Sequence, residues 1–142
     1  MATLSDTISN YVIERLSAVD DLDGVSIIRN ADDSVDRGAF VVIVDTQDQG
    51  NHLQIPGRKL VDATVAMALC VHVTDDPSGS VLEGYRSALE TVIFDQSAMT
   101  PEEPAGEWYI RYWEPSVSGI SLDGNYRKIT YNARMILQNI NA

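Results

Sequence analysis

Cys70 and His72 are the residues whose types and spacing come nearest to a chemical site. They are two positions apart in an alternating stretch, so a strand would point both side chains to the same side. Such a pair is able to act as a thiolate–imidazole nucleophile or to begin a metal site. A zinc site needs about four ligands at characteristic spacing, and the other histidine, His52, lies in a separate segment. We therefore predict a packed cysteine beside a surface histidine, and no metal.

Two aspartate clusters, at 20–23 and 75–76, offer carboxylate chemistry. Each lies at the end of a predicted element, where aspartate commonly caps or turns the chain, and neither has the spacing of a calcium loop. The sequence has no Gly-Lys-Ser/Thr phosphate motif and no serine in a nucleophile elbow. These observations predict a protein that is not an enzyme and that binds no cofactor.

The segment WYIRYW at 108–113 concentrates aromatic residues around Arg111. Aromatic side chains on a strand are able to stack on nucleic-acid bases, but this segment lacks the clustered Lys and Arg that phosphate binding requires. Trp, Tyr and Arg are also the residue types that are enriched in protein interfaces. We interpret the segment as sheet packing or a protein interface.

The charge of the chain is negative and unevenly distributed. The formal net charge of the 142 residues is −11. Residues 1–107 hold 19 acidic and 6 basic side chains, whereas residues 108–142 hold 2 acidic and 4 basic ones. The acidic part should repel nucleic acid, and the last third is suited to an acidic surface, including that of another copy of the chain. The alternative is that the surface charge only keeps the protein soluble.

The cysteine count and the apolar runs limit the cellular compartments and protein classes that fit the sequence. One cysteine excludes an internal disulfide framework and fits a reducing compartment. No run approaches the roughly 18 apolar residues that cross a bilayer, and the first residues do not have the pattern of a signal peptide. The length fits a single domain at 1–142.

Residues 59–73, KLVDATVAMALCVHV, decide the predicted fold. Every odd position from 61 to 73 is apolar, and the clearly polar residues fall on even positions. This period of two predicts a strand with one buried face, which includes Met67 and Leu69, and one mixed face. Fifteen extended residues span roughly 50 Å. We therefore expect the strand to curl, to carry a bulge or to project beyond its domain.

The whole chain predicts an α+β domain in the order α-β-β-β-α-β-β. We expect a mostly antiparallel, five-stranded sheet with both helices on one face and a mixed opposite face. The predicted elements are a helix at 4–19 with Thr3 as N-cap, strands at 25–29 and 39–45 around a turn at 30–38, a loop at 46–58, the strand at 59–73, a helix at 81–93 with a capping box of Ser80 and Glu83, a loop at 95–107, a strand at 108–113, a connection at 114–125 and a strand at 127–138.

This architecture resembles that of the tail terminator, or tail completion, proteins of long-tailed bacteriophages. The resemblance rests on length, on element order and on a long strand that runs through a polar turn into an amphipathic helix, LVDATVAMALCVHVTDDPSGSVLEGYRSALETVI at 60–93. It implies a structural virion protein, assembled in the host cytoplasm, that forms a ring (usually a hexamer) at the head-proximal end of the tail tube. Such a ring ends tube polymerisation, contacts the tube protein and a neck or connector protein, and lets DNA pass without specific binding. No membrane is involved.

The two long predicted loops, 46–58 and 95–107, are interpreted as assembly arms of such a ring. Unstructured connections beyond roughly 12 residues tend to be functional, and both contain residues that are able to be buried on contact. Arg58 and Lys59 give the first arm positive charge, whereas the second arm is acidic. The predicted subunit or tail-tube contacts are Leu53, Ile55, Arg58, Lys59, Met99, Glu102, Glu103, Trp108, Arg111 and Arg134.

Two alternatives stay open on the sequence. Secretion chaperones of bacterial type III systems are also small, acidic and cytoplasmic with the same element order, and they act as dimers that hold an extended segment of an effector. The mixed sheet face would suit such a segment. A different component of the head–tail connector is the second alternative.

Overall fold

A computed structural model of the chain describes residues 4–29, 39–55 and 58–140; of residues 39, 40, 42–55, 58, 59 and 123 it describes the backbone only. The helices are α1 (Leu4–Ser17), α2 (Ser80–Ile93) and the short α3 (Gln96–Met99), with 3-10 turns at Asp20–Leu22 and Val73–Asp75. The strands are β1 (Val25–Arg29), β2 (Ala39–Ile55), β3 (Arg58–His72), β4 (Trp108–Val117), β5 (Ser121–Asp123) and β6 (Tyr126–Asn139). Across these ranges, no helix has the length and apolar content needed to span a membrane.

All six strands pair into one sheet. The strand order is β1-β2-β3-β6-β4, and β5 also pairs with β6. The pair β1–β2 is parallel and every other pair is antiparallel. The predicted α+β class with an antiparallel sheet is therefore confirmed. The sheet has one strand more than predicted, β5, and the described chain has one helix more, α3.

One face of β3 forms the centre of the core. Met67 and Leu69 are 0% exposed, as predicted from the period of two. Leu69 lies between Val41 on β2 and Ile129 on β6, and both neighbours are also buried. α1 and α2 contribute to the same buried cluster through Ile8, Val12 and Leu16, and through Leu82, Leu89 and Ile93. This burial of apolar surface between helices and sheet is the main source of stability.

The predicted loop at 46–58 is wrong, because β2 continues through it to Ile55. Its last residues pair with the start of β3, in the register Ile55 with Arg58. Residues such as Gly50 and the neighbouring polar side chains favour a loop on intrinsic propensity, but pairing with an established strand overrides that preference. The register of β2 shifts after Ile43 and after Asp48. Two features thus accommodate the length of β2 and β3. β2 contains bulges, and β6, which is of similar length, pairs with β3 from residue 60 to residue 72.

The N-terminus of α2 is capped by Asp76, so the capping box of Ser80 and Glu83 is wrong. The backbone N–H groups of Val81 and Leu82 donate to the Asp76 carboxylate at 3.0 and 2.9 Å. Asp76 is buried, and it satisfies helix N–H groups that have no partner within the helix. The predicted N-cap Thr3 and the predicted turn at 30–38 lie outside the described residues.

The predicted loop at 95–107 is folded onto the core. Asp95 caps α3 by accepting hydrogen bonds from the N–H groups of Ser97 and Ala98 at 3.1 and 3.4 Å. Further along, Ala105 and Trp108 form a bridge around Gly106, whose φ of 59° is a conformation that glycine adopts readily. The predicted connection at 114–125 is also more regular than expected, because it contains the end of β4 and all of β5.

Candidate functional site

An ion pair between Arg134 and Asp62 lies on the sheet face opposite the core. Arg134 Nη2 is 2.8 Å from Asp62 Oδ2, and Arg134 Nε is 3.2 Å from both carboxylate oxygens. Asp62 is 8% exposed, whereas the side chain of Arg134 is 51% exposed. Hydrogen bonding and the charge of the Asp62 carboxylate raise the pKa of Arg134. The predicted contact Arg134 is therefore an exposed cation that its own subunit holds in one orientation.

β4 contributes a polar edge beside this pair. Glu114 lies opposite Arg134 in the register, and it accepts a hydrogen bond from the hydroxyl of Tyr112, which raises the pKa of Tyr112. Arg111 sits where the register of β4 shifts, with its guanidinium 4.2 Å from the centre of the Tyr109 ring. These contacts orient charges on an exposed surface, which suits recognition of a partner.

The structure shows that the predicted contacts in and beside the 95–107 segment differ in burial. Met99 is 0% exposed within the core, so its interpretation as an exposed arm residue is wrong. Trp108 is half-buried and packs against the same core. Glu102 and Glu103 are exposed. Sequence reasoning missed the burial of Met99 because α3 is too short to show helical periodicity.

The other four predicted contacts lie at the end of the hairpin formed by β2 and β3. In the register, Leu53 pairs with Leu60, Lys59 with Gln54, and Ile55 with Arg58. Their side chains are outside the described part of the structure. The backbone places these positions on a paired β-ribbon rather than in a loop.

Among the described residues, most of the outer edge of β2 along this ribbon is unpaired. β1 pairs with β2 only from residue 39 to residue 43. Within the described ranges no strand pairs with the outer edge of residues 45–55. An open sheet edge presents backbone N–H and C=O groups to any extended segment that approaches it.

An apolar corner lies at the other edge of the sheet, between β4 and β5. Val117, Ile120 and Leu122 are exposed there, Leu122 by 69%. Sequence reasoning interpreted this segment as a connection and missed the corner. The signal was present, because the otherwise polar segment 114–125 carries three large apolar residues, at 117, 120 and 122.

Two clefts flank the helices. A cleft of about 390 Å³ lies between α1 and residues 101–106, with Tyr11, Arg15 and Glu103 among its lining residues. Burial raises the pKa of Tyr11, and Arg15 Nε donates to its hydroxyl at 3.3 Å. A second groove, of about 440 Å³, lies between α2 and the 3-10 turn at Asp20–Leu22.

The surroundings of Cys70 and His72 indicate a structural role for both residues. Cys70 is buried. His72 Nδ1 accepts a hydrogen bond from the backbone N–H of Thr74 at 3.1 Å, and its ring makes an edge contact with Tyr126. In the part of the chain that the structure covers, no group of three or more His, Cys, Asp or Glu side chains is arranged to hold a metal ion.

No protein-family model matches the chain, and no curated protein matches it at a significant level. Three features of the molecule are therefore the ones that bear on its function. They are the open edge of β2, the polar face that contains Arg134 and Asp62, and the apolar corner between β4 and β5.

Proposed function

We propose that this protein is a structural virion subunit that forms a ring at the head-proximal end of a phage tail tube and ends tube growth. The open outer edge of β2 is the observation that carries the proposal. A sheet edge of this length favours pairing with another polypeptide. In a closed ring, every subunit would supply the same edge to its neighbour.

The charge distribution supports assembly of identical subunits side by side. β4, β5 and β6 lie in the basic last third of the sequence, whereas β1 and β2 lie in the acidic remainder. The strand order puts these two groups at opposite edges of the sheet. The basic excess of the first group comes from β6, which carries Arg127, Lys128 and Arg134, so side-by-side copies would bring these charges towards β2, which carries Asp45 and Asp48.

The partners in this proposal are other copies of the chain, the tail tube protein and a neck or connector protein. A hexamer is the expected ring size. Exposed Glu102, Glu103 and Arg111 are candidate contacts to these partners. DNA would pass through the lumen without specific binding, because a strongly acidic subunit repels phosphate. No catalytic activity is part of the proposal.

Native mass spectrometry and electron microscopy of the purified protein test the ring. We expect a closed oligomer, with six subunits, and a central channel in projection images. Added to tail tube protein from the same genome during polymerisation, it should shorten the tubes and cap one end. A dimer that binds an extended peptide would instead support a secretion-chaperone function, and a monomer at every concentration would contradict both.

A proline at Gln49 tests whether the open edge of β2 is used. The register shift between Asp48 and His52 leaves this position without a residue partner on β3, so the hairpin should survive Gln49→Pro. Proline removes one edge N–H and fixes φ, which disfavours pairing with an added strand. We expect weaker assembly and an unchanged thermal transition of the monomer. Gln49→Ala is the control and should assemble as the wild type does.

A further inference from the structure

The apolar corner lies at the β4–β5 edge of the sheet, whereas the α2 groove lies in the helix layer, between α2 and the turn that precedes β1. Paired residues across the sheet form one row: Leu122 with Arg127, Val71, Ala39 and finally Val25. The four strand spacings in that row amount to about 19 Å. The groove lies against the turn that directly precedes β1.

We infer that the apolar corner of one copy, with Leu122 at its tip, inserts into the α2 groove of the next copy. The inference rests on the proposed ring and names its subunit contact. Because the two surfaces differ, a contact that each copy makes with the next is heterologous, and repeated copies form a ring when the rotation closes.

The groove has a mixed surface, in which a few apolar residues lie among polar ones such as Ser80, Ser87 and Thr91. Val81 is exposed at its rim, and Tyr85 and Ala88 line it. Gly84 forms part of its floor, and a Cβ at this position would meet no atom within 4 Å. The hydroxyl of Tyr85 approaches the backbone at Gly24, which fixes one wall of the groove.

Charge around the two surfaces is complementary. Exposed Asp20 and Asp21 lie in the turn beside the groove. Arg127 and Lys128 lie opposite β5, behind the corner. Arg127 donates to the backbone carbonyls of Asp76 and Pro77 at 3.3 and 3.2 Å, so its position is set before a partner arrives. Opposite charge around an apolar centre fixes the register of an interface and excludes the reversed arrangement.

Leu122→Ser and Gly84→Arg test the two halves of the contact separately. Leu122 is largely exposed, and arginine is a better helix former than glycine, so both variants should keep the wild-type thermal transition. We expect each variant alone to be monomeric, with a dissociation constant at least tenfold higher, which corresponds to about 1.4 kcal/mol. Mass photometry and native mass spectrometry measure this. Gly84→Ala and Ile140→Ser, an exposed apolar residue at the opposite end of β6, should assemble normally.

A mixture of the two variants gives the decisive result. One variant keeps its groove and the other keeps its corner, so an equal mixture should form one-to-one dimers and nothing larger. If both variants form the wild-type oligomer, or if the mixture stays monomeric, the contact lies elsewhere and the inference is overturned while the ring proposal stands. If the wild type never oligomerises, both are overturned.

Discussion

Trp113 is the residue at which we expect a modest substitution to lower the free energy of unfolding most. It is the largest fully buried side chain of the structure described above, and its indole Nε1 donates to the backbone carbonyl of Ile93 at 2.8 Å. That carbonyl is at the last residue of α2, where carbonyl groups have no partner within the helix. Trp113→Phe keeps an aromatic ring on β4 but removes the only atom that reaches this carbonyl.

The expected loss has two parts. An unsatisfied buried carbonyl costs about 1–3 kcal/mol, and the three lost carbon and nitrogen positions cost roughly 2 kcal/mol at about 0.8 kcal/mol for each buried methylene-sized group. The sum is about 3–5 kcal/mol. With an unfolding entropy of roughly 2.1 cal/mol/K per residue, each kcal/mol shifts the melting temperature by about 3 °C. We therefore expect Tm to fall by roughly 10–15 °C.

Urea unfolding followed by circular dichroism measures the change, with Tyr112→Phe as the matched control. Tyr112 is the adjacent residue on the opposite face, exposed, with a hydroxyl bonded only within β4. Loss of the Tyr112 hydroxyl should lower the free energy of unfolding by less than about 0.5 kcal/mol. Equal losses for the two variants, or a Trp113→Phe loss below about 1 kcal/mol, would refute the burial and the hydrogen bond on which the argument depends.

Other predictions concern the core, a buried hydroxyl and acid stability. Leu69→Ala should cost about 2–5 kcal/mol by urea unfolding because the site is fully buried, whereas Thr64→Ala, at a partly exposed position on the mixed face, should cost much less; equal losses would contradict the two-faced strand. Tyr131→Phe should cost about 1 kcal/mol by the same assay, because the hydroxyl donates to a carboxylate on α2 at 3.3 Å; no loss would mean that this bond contributes nothing. Hydrogen bonds from Ser97 and backbone amides lower the pKa of Asp95 below 3.8, so its contribution is present above about pH 4 and disappears as pH falls through the folded-state pKa. Tm of Asp95→Asn should therefore fall less steeply than that of the wild type between pH 5 and pH 3, and parallel curves would contradict the lowered pKa.

Periodic segments were predictable from the sequence, because their apolar spacing reflects the face that they bury. β1 matches its predicted range, and α1, α2, β3 and β6 lie within one or two residues of theirs; the largest difference is the end of α1, at Ser17 rather than 19. The second half of β2 was not predictable in this way. Its strand conformation depends on pairing with β3, a long-range interaction that local composition does not encode.

Arg134 and Asp76 show the same division between local patterns, which the sequence reveals, and long-range contacts, which it does not. The partner of Arg134 was not identified from the sequence, because alternation puts Asp62 at an even, polar position of its strand but does not give the register that brings it to Arg134. Asp76 was interpreted as a solvated turn residue, whereas it caps α2. Asp76 lies five residues before the first helix N–H group that it binds, so this cap requires a folded turn. The spacing of a local capping box does not reveal such a cap.

The irregular pairing of β2 favours a ring over a two-fold dimer. In an isologous dimer built on the outer edge of this strand, β2 would pair antiparallel with β2, and a two-fold axis between Asp45 and Asp48 would place each of them opposite the other in the second copy, an unfavourable arrangement for like charges on neighbouring strands. Its register shifts, after residues 43 and 48, also disrupt the regular pairing that such a dimer needs. In the proposed ring, a contact between this edge and the β4–β5 edge of the next copy avoids pairing β2 with itself. Such a contact joins two different surfaces, and its repetition closes into a ring when the rotation between copies allows it.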